Sequence, residues 1–428
     1  MASFRDVPTF RAFRSLNYTL YFTGRSFSQF GTWMQRTAVV WVIYTLTQSP
    51  FMLGVTLFAE QFPAFLLFIF GGIAADRYDR FRIIKITQIA SMVQASLLAV
   101  LILMDHYVVW EILALSVLLG IINAFDIPAR QSMIHEVLYD QADLPNALAL
   151  NSAMASVARL LGPAISGLIL ESWGAGICFL INALSFGAVI LSLAFMKLPT
   201  FVPPVQNKNV RLELLEGFRY VKQTPAIGLI ILTVGLIGLL VRPYNTLLPV
   251  FAKVIFSGDA ATYGYITGFI GLGAVAGTVY LASMKREVNL KKILLIGILV
   301  LSVGLLAFSV SSIFPLAMVF AVIVGFGTVA QTTLGNIIVQ SGSAPQMRGR
   351  VISLLLMAMF GMVPLGSLLI GAISQQIGAP AALFCQGMAG LGIALLFAYF
   401  LKNALADRKQ PSPRKETVAK STSKILTS

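Results

Sequence analysis

Two carboxylates in this chain lie well inside long apolar stretches, Glu60 and Asp126, and four arginines do the same, Arg25, Arg36, Arg159 and Arg242. A carboxylate held in an apolar surrounding binds its proton more tightly, and a neighbouring guanidinium can discharge it. That is the chemistry of a proton relay inside a membrane. Glu60 stands 16 residues before Asp76, so on a helix rising about 1.5 Å per residue it lies roughly 24 Å from the charged turn that begins there. Arg36, about 19 residues into the first apolar run, reaches a similar depth by the same rise. The two can pair. Arg25, Gln29, Thr32 and Arg36 also fall within about 60° of arc on one helix face, a polar stripe that is costly in lipid and must face the interior of a bundle. Two readings of Glu60 and Arg36 stand side by side here, a proton-coupling pair in a cavity wall and a structural ion pair that fixes the first two helices.

The elements that must hold these groups follow from composition. The chain has 428 residues, of which 57% are hydrophobic and 11% charged, too few charges to cover a water-soluble globule of this size. Apolar runs long enough to cross a bilayer fall near 17–46, 51–76, 83–104, 108–129, 145–170 and 175–196, and again near 225–251, 260–284, 289–311, 314–341, 347–375 and 378–402. The expected fold is therefore an all-α membrane protein of twelve transmembrane helices. It divides into an N-terminal segment 1–16, a six-helix half 17–196, a linker 197–224, a second half 225–402 and a basic, disordered tail 403–428. Within the linker, Leu212, Leu215, Phe218 and Val221 recur at helical spacing, which predicts a short amphipathic helix on the membrane surface.

Of 31 Lys and Arg, 26 fall on the side of the chain ends and only Lys253 on the other, so both termini are expected in the cytoplasm. This distribution, between apolar runs and in the tail, points to a lipid surface and not to nucleic acid, despite a net charge of +14. Cys178 and Cys385 lie inside apolar runs, and the two histidines His106 and His135 do not make a metal centre, so neither disulfide, metal nor cofactor is expected. No phosphate-binding loop occurs, and any active transport must draw on an ion gradient. An internal repeat is visible, because Gly54–Lys85 and Gly264–Lys292 each run from a glycine-containing span through a basic turn into a new span.

The turn Gly72-Ile-Ala-Ala-Asp76-Arg77-Tyr-Asp79-Arg80-Phe81-Arg82, a small-residue helix end followed by charge, resembles the signature loop of the major facilitator superfamily of transporters. Asp79 and Phe81 stand where that loop usually has a glycine and a basic residue, and in this they resemble its bacterial drug:proton antiporter branch of drug and siderophore exporters. The resemblance implies two six-helix pseudo-symmetric halves. It also implies gating roles for Gly72, Asp76, Arg77, Arg80, Asp126 and Arg130. By the same resemblance Arg80 or Arg77 would bridge to Asp126, and Asp76 would face the start of the eleventh helix near Gly349 and Arg350 when the cavity opens outward. Arg159, Gly162, Pro163 and Gly167 are similar to the Gly-Pro motif of the superfamily's antiporters, with Ala158 and Ser166 in place of glycines.

Arg25, Gln29, Arg242, Tyr244, Gln331 and Asn336 are the further candidates for a cavity lining, with Asn182 and the phenylalanines Phe58, Phe62 and Phe65 beside them. For the arginines, snorkelling or ion pairing is the alternative. The expected function is export of small amphipathic molecules in exchange for protons by a monomer working through alternating access, with a small-molecule substrate, protons and the bilayer as its only partners. A carrier of lysophospholipids or other solutes without protons, and a non-transporting scaffold or sensor, remain open at this point. No nucleophile with its base suggests an enzyme.

Overall fold

The computed structural model describes residues 8–198, 210–284 and 288–407. The expected tail beyond residue 407, the first part of the linker and Lys285–Glu287 lie outside the described residues. Helices α1 (Leu16–Thr47), α2 (Pro50–Arg77), α3 (Arg80–Leu103), α4 (Val109–Met133), α5 (Leu144–Trp173) and α6 (Ala175–Ala194) form the first half. After α7 (Val210–Gln223), the second half comprises α8 (Pro225–Leu240) with the single turn α9 (Leu248–Val250), then α10 (Ala260–Ala282), α11 (Leu290–Val310), α12 (Phe314–Gly342), α13 (Arg348–Ile377) and α14 (Ala379–Asp407). Eleven of these segments are long and apolar enough to cross a membrane on composition alone. The twelfth is α1, whose polar stripe lowers its apolarity, yet it packs lengthwise on α6, with Gly24 against Ser192 and Gly31 against Asn182. It belongs to the bundle.

Peripheral helices carry lipid-facing stripes. Val93, Leu97 and Val100 on α3 and Ile296, Val303 and Val310 on α11 are exposed at helical spacing, a surface that is stable only against hydrocarbon. Polar groups turn inward instead. Asn182 Nδ2 donates to Gln35 Oε1 at 2.7 Å and Gln35 Nε2 to Gln94 Oε1 at 3.0 Å, so α1, α3 and α6 are joined by a buried, saturated amide network. Asn182, expected near the cavity, is one of its members.

The seventh span departs from the expected continuous helix. At Pro243 the ring and the missing N–H end α8, and the chain passes through a 3-10 turn, Arg242–Leu247, and a π-helical turn, Phe251–Ile255. The Val241 carbonyl accepts from the Tyr244 N–H at 3.3 Å and from Gln386 Nε2 at 3.4 Å. Gly366 of α13 fits against the break, since a side chain there would meet the Leu239 carbonyl and Pro243.

The halves meet along two glycine seams. Gly264, Gly268 and Gly271 of α10 press on Pro163, Ala164, Gly167 and Leu160 of α5, while Gly54 of α2 and Gly371 of α13 bring those two helices together at the face away from the chain ends. Ser49 hydrogen-bonds Gln375 at 2.8 Å and Trp41 stacks on Tyr263 at that same face. There Asp259 caps α10, and the Thr262 backbone N–H holds its carboxyl below the usual range.

At the opposite face α7 lies against the start of α13, with Glu216 paired to Arg350 and the Ala344 N–H donating to Tyr220 Oη at 3.1 Å. Leu215 and Phe218 of α7 stay exposed. Helix α14 continues to Asp407, past the expected start of the tail.

Small residues at the α2–α4 contact give the first test. A Cβ on Gly71 would stand 1.8 Å from the Ala124 carbonyl oxygen, whereas one on Gly72 meets nothing within 4 Å. Gly71→Val should lower stability by about 1–3 kcal/mol or prevent folding, and Gly72→Ala should not lower the melting temperature in detergent.

Candidate functional site

A cavity of about 1450 Å³ lies between the halves and reaches Asp76, Arg77, Gln346, Gly349 and Arg350, so it opens at the face of the chain ends and is closed at the other. Its deep part carries four charged side chains, Arg36, Glu60, Arg159 and Arg242. Arg36 Nε donates to Glu60 Oε1 at 2.6 Å, so the pairing expected from helix depth is present. Glu60 is 8% exposed because Gly120 of α4 allows close approach to its backbone carbonyl, 2.3 Å from where a Cβ would be. Glu60 Oε2 receives no hydrogen bond from the described residues. Trp33, one turn before Arg36, lies between two guanidiniums, with Arg36 5.7 Å and Arg159 6.0 Å from its ring centroid.

Arg242 and Tyr244 enter the cavity from the break after α8. Tyr244 is buried and its hydroxyl pairs with Thr328 Oγ1 at 3.2 Å. Arg159 and Arg242 lie within electrostatic reach of one another and of Tyr244. Neither has a carboxylate partner among the described residues. Pro163 also lines the cavity, whereas Gly162 packs on Trp33 and Gly167 on α10, so the Arg159–Gly167 motif joins three surfaces at once.

Several expected residues are placed elsewhere. Arg25 donates to the Tyr21 hydroxyl at 2.6 Å, and neither it nor Gln29 lines the cavity. Gln331 is buried behind the lining with both amide atoms unbonded among the described residues, and Asn336 accepts from Gln340 at 2.9 Å. Of the three phenylalanines only Phe65 reaches the cavity, and it packs on Gly361. Asn123, Asn245 and Thr328 also line it; Asn245 is marked by the proline-broken run Arg242-Pro-Tyr-Asn and Asn123 by its place three residues before Asp126 in an apolar run, whereas nothing in the sequence marks Thr328.

The gating loop also differs in its partners. Asp126 accepts from Thr87 Oγ1 at 2.7 Å and Gln88 Nε2 at 2.9 Å on α3 and from Arg130 one turn along α4. Arg80 pairs with Glu136 beyond α4 and donates to the Ala75 carbonyl at 3.0 Å, instead of bridging to Asp126. Depth explains this, because Thr87 is two turns deeper on α3 than Arg80, and Asp126 lies inside α4 whereas Glu136 lies beyond its end. Asp79 caps α3 through the Phe81 N–H at 3.0 Å. Asp76 and Arg350 face the mouth from opposite halves and are not paired in this conformation.

Twelve spans in two halves around a charged central cavity, closed at one face and open at the other, define a membrane transporter of the major facilitator type. Over residues 8–424 the chain matches the MFS_3 family, described as transmembrane secretion effector, and it belongs to that family of the major facilitator superfamily. It is 27% identical over 394 residues to a staphyloferrin A transporter of Staphylococcus aureus, covering 90% of this chain and 97% of that one. Identity is 24% to the multidrug efflux pump Tap of Mycolicibacterium fortuitum (84% and 90% covered) and 23% to the enterobactin exporter EntS of Escherichia coli (95% of each). In fold it resembles the nucleoside transporter NupG, with a TM-score of 0.71 at 13% identity over 90% of this chain and 99% of that one. A bacterial homologue of the lysosomal transporter Spinster, inward-facing and unoccupied, gives 0.70 at 14% over 92% and 99%. These relatives are transporters and not enzymes.

Breaking the buried Asp126–Arg130 pair by Asp126→Ala leaves a guanidinium and the Gln88 amide unmatched, and should cost about 3–5 kcal/mol in a detergent melt. Glu136→Gln removes a more exposed partner and should cost less than about 1 kcal/mol in the same measurement.

Proposed function

We propose that this protein exports small amphipathic molecules across the bacterial inner membrane in exchange for protons, as a monomer working by alternating access with both chain ends in the cytoplasm. The observation that carries the reading is the Arg36–Glu60 pair in a cavity open at the face of the chain ends. The excess of basic residues on that face supports a cytoplasmic assignment. Relatives named for siderophore transport and drug efflux support the direction and the substrate type.

Exchange requires that proton and substrate compete. Glu60 engages Arg36 through one oxygen, and the other is left for a proton or for a donor group of the substrate. A ligand ammonium or hydroxyl held there loses its anchor when a proton arrives from the outside, and Glu60 gives that proton up again on the inside, where Arg36 stabilises the carboxylate. By contrast, a purely anionic ligand binds better once Glu60 is neutral and would travel with the proton.

In the opposite conformation the halves close at the cytoplasmic face. Gly72, now facing open space, would take up the contact with α13, and Asp76 would meet the start of that helix, where backbone N–H groups favour a negative charge. Arg77 and Arg80 hold the loop in place at the surface.

The test is lumenal pH in acidified everted vesicles challenged with cationic, neutral and anionic compounds. Donor-bearing substrates should release protons through the wild type, and Glu60→Gln should reduce that release at least tenfold. Proton release by Glu60→Gln equal to wild type would remove Glu60 from coupling, and ligand equilibration without any proton movement would leave a facilitator.

A further inference from the structure

With Arg36 engaged by Glu60, the deep cavity still holds two guanidiniums that no described carboxylate compensates, Arg159 on α5 in one half and Arg242 at the α8 break in the other. Three arginines against one glutamate leave two positive charges facing a common space. The groups around them are neutral. Arg159 has the Trp33 ring, and the Tyr244 hydroxyl is already engaged by Thr328. Such a pair suits an anion, because Arg159 is open to the cavity, Arg242 is half-buried beside it, and two guanidiniums facing one space attract a counter-charge.

The wall that leads from this pair toward the mouth has the opposite character. Leu66 and Ile69 of α2 and Leu356, Met357 and Phe360 of α13 line it, and Leu66 and Phe360 are 55% and 57% exposed, unlike side chains packed in a core. A polar solute gains nothing from such a surface. The apolar body of a ligand does.

We propose that the substrate is an amphipathic anion whose carboxylate or phosphate group bridges Arg159 and Arg242 while its apolar part lies along this α2–α13 wall. The proposal rests on reading the cavity as the transport site, and it adds the charge and shape of what enters. Guanidinium forks match the planar oxygens of such an anion, and a group held by both touches the two halves at once. A hydroxyl or ammonium elsewhere on the same molecule can reach Glu60 Oε2, which keeps the competition with the proton. An anion of this kind can come from solution or be the headgroup of a single-chain lipid, with the same chemistry at the arginines.

The experiment is equilibrium binding to the purified full chain in phosphatidylcholine nanodiscs. The probes are pyrenebutyrate, its neutral amide and lysophosphatidylglycerol. Pyrenebutyrate, lysophosphatidylglycerol or both should bind, and pyrenebutyrate, where it binds, should do so at least tenfold tighter than its amide. Arg159→Gln and Arg242→Gln should each weaken the anion at least tenfold and leave the amide unchanged, and the Lys variants should recover part of the loss. Arginine dependence confined to lysophosphatidylglycerol identifies a lipid-borne ligand, and dependence confined to pyrenebutyrate a soluble one. The anion seat is overturned if neither anion loses affinity in either Gln variant, or if neither binds the wild type. If the Gln variants do not fold, the Lys variants and the anion-to-amide ratio of the wild type decide. Discrimination in this assay without proton exchange in vesicles removes the coupling and keeps the seat, and the reverse result removes the seat and keeps the coupling.

Discussion

Charge in the middle of a hydrocarbon layer has to find its compensation inside the protein, and the arrangement of this molecule follows from where it does so and where it does not. Asp126 is satisfied by three donors from α3 and α4, and that cluster ties two helices of one half into a rigid unit. Arg36 and Glu60 satisfy each other across α1 and α2, but through one carboxylate oxygen and at the wall of a cavity. Arg159 and Arg242 have no such partner among the described residues. Compensation therefore becomes less complete toward the interface of the halves, where a ligand can supply what is missing.

Glycine decides how the halves meet. In lipid there is little hydrophobic drive between helices, so close backbone approach and the dispersion contacts it permits take that place. The α5–α10 seam runs from Gly167 and Gly264 down to Leu160 and Gly271, whereas α2 and α13 converge at Gly54 and Gly371 and diverge toward Asp76 and Arg350. The two seams thus close one face, and the divergence of α2 from α13 opens the other. The broken seventh span belongs to this design, because the 3-10 turn that contains Pro243 brings Arg242, Tyr244 and Asn245 to the cavity.

Some local assignments could not be read from the chain because they depend on rotation of a helix about its axis. Gly71 and Gly72 are adjacent and alike in sequence, yet one is pressed on the Ala124 carbonyl and the other looks into the cavity. The resemblance implies a bridge from Arg80 or Arg77 to Asp126, yet Arg80 pairs with Glu136 and lies two turns of α3 away from Thr87, the residue that meets Asp126. Arg25 and Arg36 share a stripe on α1, but the first is eleven residues nearer the chain-end face and is held by Tyr21, while the second reaches Glu60.

The sequence by itself determined the spans, the excess of positive charge on one face, the helical linker segment and the pairing depth of Arg36 and Glu60. Each of these depends only on hydrophobic run length, charge position or the fixed rise of a helix. Only the tertiary structure decided which polar residues meet. Gln35, Gln94 and Asn182 find one another from three helices, Arg159 and Arg242 from two halves, and Gln331 is turned away from the cavity. Contacts between residues so far apart in the chain are fixed by helix rotation and crossing, set by where small residues allow backbones to approach, and no local pattern encodes that.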